Sequence, residues 1–413
     1  MTIKFRLTVL NFFEFFIWGT WLISLGGFLG GQLHFTGSQI GSIFSTLGIA
    51  SIIMPAVAGI IADKYINAQK LFGILHILGA GLLFILAHVN SFDAFFWIIL
   101  GYLLLYMPSI GLANAISYSI LSDNKYDIIK VFPPIRVWGT IGFIVAMWFI
   151  DLLDWSQSSN QFYFASALSL LLGIYSFTLP NVPLSKTENK ALTQRLGLDA
   201  LGLFKDYKMA IFFIFSMLLG VVLQISNAWA SEFLRSFTNH FPDSFAVKHS
   251  NILISLSQIS ETAFILTIPF FLKRYGIKAV MLMSMVAWFL RFALFGIGNP
   301  EGIGLTYLLL SMVVYGMAFD FFNISGSLFV ETETDSKFRS SAQGLFMLLT
   351  NGLGALIGGY ASGLIVDYFT NNGVRDWTLI WLTFASYAIV LGVIFSVLFK
   401  YKHDPYKIKD VSH

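Results

Sequence analysis

Chemistry in this chain is confined to a few polar residues set inside long apolar runs. Two carboxylates, Glu261 and Asp320, stand near the middle of such runs, and each has an amide three positions away, giving the pairs Gln258/Glu261 and Asp320/Asn323. Gln224 and Asn227 repeat the spacing, while Arg136, Thr140 and Phe143 follow i, i+4, i+7. On a helix each set falls on one face, so several faces can converge on one polar site. Burial favours a neutral acid and a nearby cation favours the carboxylate, so a carboxyl group whose access to water changes can take up and release a proton. Glu261 and Asp320 are therefore the expected proton-coupling residues.

The remaining groups suggest a ligand. Amides donate and accept hydrogen bonds as a polyhydroxylated sugar requires, and Phe143, Tyr315 and Phe319 offer faces for a flat ring, which together describe a nucleoside. The aromatic part of that reading is weak by itself, because a chain with 43 Phe places rings near any site. Structural glue is the competing role, since amides and hydroxyls commonly bond between helices in a membrane. For the amides both readings stand. For the two carboxylates an amide would serve as glue at lower cost, which favours function. Arg291 and His76 fall on helices expected at the periphery, where a snorkelling or locally paired role is the better expectation.

The elements that carry these residues follow from composition. Of 413 residues 56% are hydrophobic and 11% charged, with mean hydropathy +0.75, against about a quarter charged in ordinary globular proteins. Apolar runs near the roughly 20 residues a membrane helix needs predict twelve spans, at 6–30, 38–62, 71–89, 94–119, 136–154, 161–180, 209–231, 249–272, 277–298, 303–330, 340–367 and 376–399. The first, with no cleavage signature, reads as a retained helix rather than a signal peptide. There is no Cys, hence no disulfide or thiol site, and no metal site or cofactor is expected. A net charge of +3 gives no reason to expect a nucleic-acid partner.

Charge alternation supports the count. Twenty Lys and Arg fall on one side, Arg235, Lys248 and Arg375 on the other, and Arg136 and Arg291 at or within helices. Cytoplasmic loops hold the excess, so both termini are expected in the cytoplasm. The polar link between the sixth and seventh spans divides the chain into an N-terminal six-helix bundle at 1–180, a connecting loop at 181–208 and a C-terminal bundle with a short tail at 209–413. Two such halves are expected to meet around a site near the midplane, as in transporters built from repeats.

After the second span comes Gly59-Ile-Ile-Ala-Asp63-Lys64-Tyr65, with a degenerate counterpart Pro269-Phe-Phe-Leu-Lys273-Arg274-Tyr275-Gly276 after the eighth. The first resembles the loop signature of the major facilitator superfamily. A tight turn opening on Gly59, with Asp63, beside Lys64, capping or pairing across a helix end, would lock one gate conformation. In that fold the first, fourth, seventh and tenth helices line the cavity and the second, fifth, eighth and eleventh flank it. The remaining four face lipid.

Phe15-Phe-Ile-Trp-Gly-Thr-Trp-Leu22, Phe132-Pro-Pro-Ile-Arg-Val-Trp-Gly-Thr-Ile-Gly-Phe143, Leu196-Gly-Leu-Asp199, Phe319-Asp-Phe-Phe-Asn-Ile-Ser-Gly-Ser327, Lys400-Tyr-Lys-His403 and the tail His403-Asp-Pro405 resemble the bacterial nucleoside:proton symporters of that superfamily over essentially the whole chain. The resemblance implies that Arg136, Thr140, Gln224, Asn227, Gln258, Glu261 and Asp320 contact the nucleoside, with Phe143 and Phe319 beside the base and Tyr315 nearby. It further implies a monomer in the bacterial inner membrane, with lipid, nucleoside and proton as its partners. Glu14 departs from the Gln expected there, either as a third cavity carboxylate or as a neighbour of Trp18. Ser226 replaces an expected Thr.

An enzyme is disfavoured, for there is no His-Glu-x-x-His, phosphate-binding glycine loop or Cys nucleophile. Gly352, Gly354, Gly358 and Gly359 read instead as close-packing positions of the eleventh helix. A proton-coupled sugar or drug carrier, or a non-transporting nutrient sensor of the same fold, remains the alternative.

Overall fold

The computed structural model describes residues 2–401 other than 185–192, 194–195 and 337. Part of the connecting loop, Lys337 and the tail motif His403-Asp-Pro405 lie outside the described residues. The described chain is almost entirely helical. The first span is α1 (Ile3–Gly19) and α2 (Leu22–Gly31), and α3 (Gly37–Lys64), α4 (Ala68–Leu86), α5 (Phe92–Asp123), α6 (Ile128–Leu152) and α7 (Asn160–Ser176) complete the first six. A 3₁₀ turn at Leu198–Lys205 leads into α8 (Tyr207–Ser236), the seventh span.

The eighth span follows the short α9 (Phe245–Lys248); it is α10 (Ser250–Ile265), continued past a break at Leu266 and Thr267 into the start of α11 (Ile268–Ile297). At Gly276 the backbone takes φ 79°, ψ 170°, a conformation open mainly to glycine, and the chain turns there into the ninth span. The tenth is α12 (Gly302–Glu333). The eleventh runs as α13 (Arg339–Met347), a π-helical stretch Leu348–Gly354 and α14 (Ala355–Tyr368). A hairpin of β1 (Thr370–Asn371) and β2 (Val374–Arg375) then leads into α15 (Trp377–Leu398), the twelfth.

Ten candidate spans among the described residues are long and apolar enough to cross a membrane. The other two, α7 with 17 residues and α10 with 16, fall just short in length. The architecture is thus the twelve-helix, two-repeat arrangement expected from the sequence.

Two local expectations need correction. The fifth span starts at Ile128, not 136, because Asp127 caps it by accepting from Lys130 N–H and the helix runs through Pro133 and Pro134; proline is tolerated in membrane helices whose neighbours satisfy the freed groups. The turn expected at Gly59 does not form there. Helix α3 continues to Lys64, so Gly59 and Asp63 are helical, and with Ala62 they line a crevice against α5 and Pro183.

The halves touch mainly at the end opposite the chain's N-terminus. There α3 packs on α14 through glycine: a Cβ at Gly359 would lie 2.6 Å from Ser45 N, and Gly37, Gly41 and Gly48 approach Gly363, Gly359 and Gly352 backbone. The close approach of small residues brings the polar backbone of one helix onto the next. Gly37 N–H and Ser38 N–H donate to the Asp367 carboxylate at 2.6 and 2.7 Å, so an acid of the eleventh span caps the second. Trp148 Nε1–H donates to Ser255 Oγ at 2.7 Å, and Asp151 meets His249 Nδ1 at 2.9 Å while accepting from Asn251 N–H at 3.2 Å, joining the fifth span to the eighth. Glu232 lies against Gly30 and pairs with Arg375, which also donates to the Phe35 carbonyl at 3.4 Å. Burial pushes the Arg375 guanidinium down only to about 10, so near neutral pH it keeps its charge.

Candidate functional site

A cavity of about 650 Å³ lies between the halves, within the range of small-molecule sites. Its described lining comes from the first, second, fourth, fifth, seventh, eighth, tenth and eleventh spans, plus Leu196 of the link. The third, sixth, ninth and twelfth contribute nothing among the described residues, as expected. Leu196, Gly344 and Met347 place one side of the cavity toward the link, and the contacts described above seal the other.

Arg136 and Thr140 reach the cavity from α6 with Phe143 one turn on. The Arg136 guanidinium lies over the Phe15 ring, 4.0 Å from its centroid, a stacking that fixes its plane. Glu261 lines the same cavity from α10. Gln258 lies on the same face as Glu261. Asn227 and Gln224 line the wall from α8, but Gln224 Nε2 donates to the Phe44 carbonyl at 3.0 Å and is thereby tied to the opposite half. Tyr315 and Phe319 stack with ring centroids 6.3 Å apart at an interplanar angle of 8°, offering parallel aromatic rings to the cavity. Phe143 stands edge-on to Trp18, with centroids 6.2 Å apart.

Nine of the ten expected substrate-contacting residues line the cavity. Asp320 does not. It is buried behind the wall next to Phe319, its Oδ2 without a hydrogen-bond partner among the described residues. Asn323 and Asn351 face a small separate pocket, although Asn351 lines the main cavity too.

Glu14 is also outside the cavity. It is fully buried, 2.8 Å from His76 Nε2, accepts from Ser109 Oγ at 2.6 Å, and its backbone carbonyl accepts from the Tyr106 hydroxyl. Ser169 Oγ lies 3.0 Å from His76 Nδ1. One buried network thus ties the first, third, fourth and sixth spans, so His76 is paired rather than snorkelling. Arg291, 2% exposed, does not snorkel either.

What sequence reading missed is the sealed end: Asp151, Glu232, Asp367 and Arg375. Their positions beside helix ends resemble those of ordinary surface charges. A signal was present at Asp151 and Glu232, acids inside or at the ends of apolar helices, but their partners were not legible.

A family model described as "Nucleoside H+ symporter" matches residues 1–404. The xanthosine permease of Escherichia coli (strain K12) is 54% identical over 412 residues, 99% of each chain. Nucleoside permease NupG of the same organism is 51% identical over 418 residues, covering 100% of each. The solved structure of nucleoside transporter NupG superposes with a TM-score of 0.93 over 97% of this chain and 100% of that one. A bacterial homologue of the lysosomal transporter Spinster, at 12% identity and TM-score 0.67, shares the fold alone. With identity and shape continuous from end to end, this multi-pass membrane chain belongs to the nucleoside H+ symporter family.

Proposed function

We propose that the protein carries nucleosides with protons across the bacterial inner membrane by alternating access, working as a monomer with both termini in the cytoplasm. One observation carries this reading: a single cavity between the halves combines hydrogen-bonding amides, an arginine, a carboxylate and a pair of parallel aromatic rings. Amides and Arg136 serve the ribose and base edges; Phe143, Tyr315 and Phe319 flank the base. In this orientation the cavity opens to the cytoplasm and the sealed end faces outward.

Proton coupling falls to Glu261 in the wall and Asp320 behind it. With a proton on Asp320 and a nucleoside on Glu261, the buried charge is reduced and the halves, 1–180 and 209–413, can rock about the site while the loop at 181–208 keeps them joined. The Gly59, Asp63 and Lys64 segment acts at the cytoplasmic gate through its helix end. The test is radiolabelled uridine uptake into proteoliposomes with and without an inward proton gradient, with unlabelled adenosine, xanthosine and glucose as competitors. Gradient-driven accumulation blocked by nucleosides and not by glucose supports the proposal. Uptake indifferent to the gradient, or blocked by glucose, refutes it.

A further inference from the structure

Arg291 is a cation without an acidic partner, buried inside the C-terminal half on a helix that does not line the cavity. It has no ion pair among the described residues; instead Nε–H donates to Ser226 Oγ at 3.0 Å, and Nη1–H to Ser257 Oγ at 3.2 Å and the Ser311 carbonyl at 3.0 Å. Its guanidinium carbon lies 4.4 Å from the Tyr315 ring centroid and 5.0 Å from that of Phe295. Ser311 Oγ donates back to the Arg291 carbonyl at 3.0 Å.

The three oxygen partners sit on three different spans, and each adjoins a cavity residue. Ser226 precedes Asn227 on α8. Ser257 precedes Gln258 on α10 and lies one turn before Glu261, while Ser311 lies one turn before Tyr315 on α12. A small pocket lined by Ser226, Ser257, Gln258, Arg291 and Tyr315 connects the guanidinium to the back of the cavity wall. Stability alone does not account for such a residue. A charge inside a membrane helix is costly, hydrogen bonds to neutral groups only offset that cost, and a well-packed apolar side chain of similar volume often serves as well or better. Arginine is suited to this geometry because its planar fork directs several donors from one rigid group.

We propose that Arg291 is a positioning residue for nucleoside recognition, holding Asn227, Gln258 and Tyr315 at fixed separations from behind. The N-terminal half uses a related device, His76 on its third span bonded to Glu14 and Ser169, so in each half a basic side chain from the third helix pins helices around the site. This role rests on the reading of the cavity as the nucleoside site.

The test is a double-mutant cycle in proteoliposomes with R291M, Y315L and the double variant, measuring KM and maximal rate for uridine after normalising to the folded fraction. Each single change is expected to raise KM about tenfold, and the double to exceed the worse single by no more than about threefold, because Arg291 acts partly through Tyr315. R291K retains the charge and one donor direction and is expected to recover part of the KM. A structural role would lower the folded fraction and leave the KM of the folded transporter unchanged, and that result, or effects that multiply in the double variant, overturns the proposal. If R291M does not reach the membrane, R291K carries the same cycle with Y315L, read the same way. Failure of the wild-type chain to transport uridine would be seen separately, in the uptake assay, and would remove the proposed site and this role together.

Discussion

Replacing Asp367 by alanine should unseal the closed end. The carboxylate accepts two backbone N–H groups, at 2.6 and 2.7 Å, from the first residues of α3 in the other half. Hydrogen bonds to a charged acceptor contribute about 1.5–3 kcal/mol each, but Asp367 is partly exposed and regains water when the halves part. We take about 2 kcal/mol as the net loss, which multiplies the ratio of unsealed to sealed molecules by about 30. The absence of native cysteine makes this measurable. A single Ser231→Cys, buried at 1% exposure and facing Gly27 across the first and seventh spans, should react slowly with a water-soluble maleimide in detergent. Adding Asp367→Ala should raise its labelling rate by more than about tenfold, with Asp367→Asn between the two because a neutral acceptor gives a weaker bond. A labelling rate unchanged by Asp367→Ala, in protein that elutes as a folded monodisperse species, would refute the idea that this contact holds the end shut.

Three other outcomes follow from the same geometry. Glu261→Gln and Asp320→Asn should each abolish gradient-driven accumulation of uridine; undiminished accumulation in both variants would remove the proton role from these residues. Gly359→Val, with side-chain atoms where Ser45 N is already 2.6 Å from a Cβ, should prevent the α3–α14 contact, raising Ser231→Cys labelling and slowing net uptake; normal uptake with a protected cysteine would contradict it. His76→Leu removes the imidazole from the buried Glu14, leaving only Ser109 on its carboxyl group, and should destabilise the fold by about 3 kcal/mol, seen as a lower melting temperature in detergent. Glu14→Gln, which keeps an acceptor for Ser109, should cost much less, and equal effects from both changes would show that the pairing carries no stability.

Much of this protein was legible in one dimension because the cost of placing a polar group in lipid is paid residue by residue. That cost marks the spans, forces the charges of the loops to alternate, and leaves Arg136, Gln258 and Glu261 visible as polar faces on apolar helices. Helical spacing together with the family resemblance named ten candidates, and nine of them lie in the cavity wall. The tenth shows the limit: Asp320 and Phe319 are neighbours in sequence, and only the rotation of α12 against its neighbours decides which faces the cavity. Partnership is likewise a tertiary property. Glu14 meets His76 62 positions away, Gly37 meets Asp367 330 positions away, and Arg291 is defined by hydroxyls on two other helices and a carbonyl on a third, separations that no local pattern encodes. The sealed end is set at the same level, because it consists of contacts between the two halves, and these exist only once the two bundles are packed together.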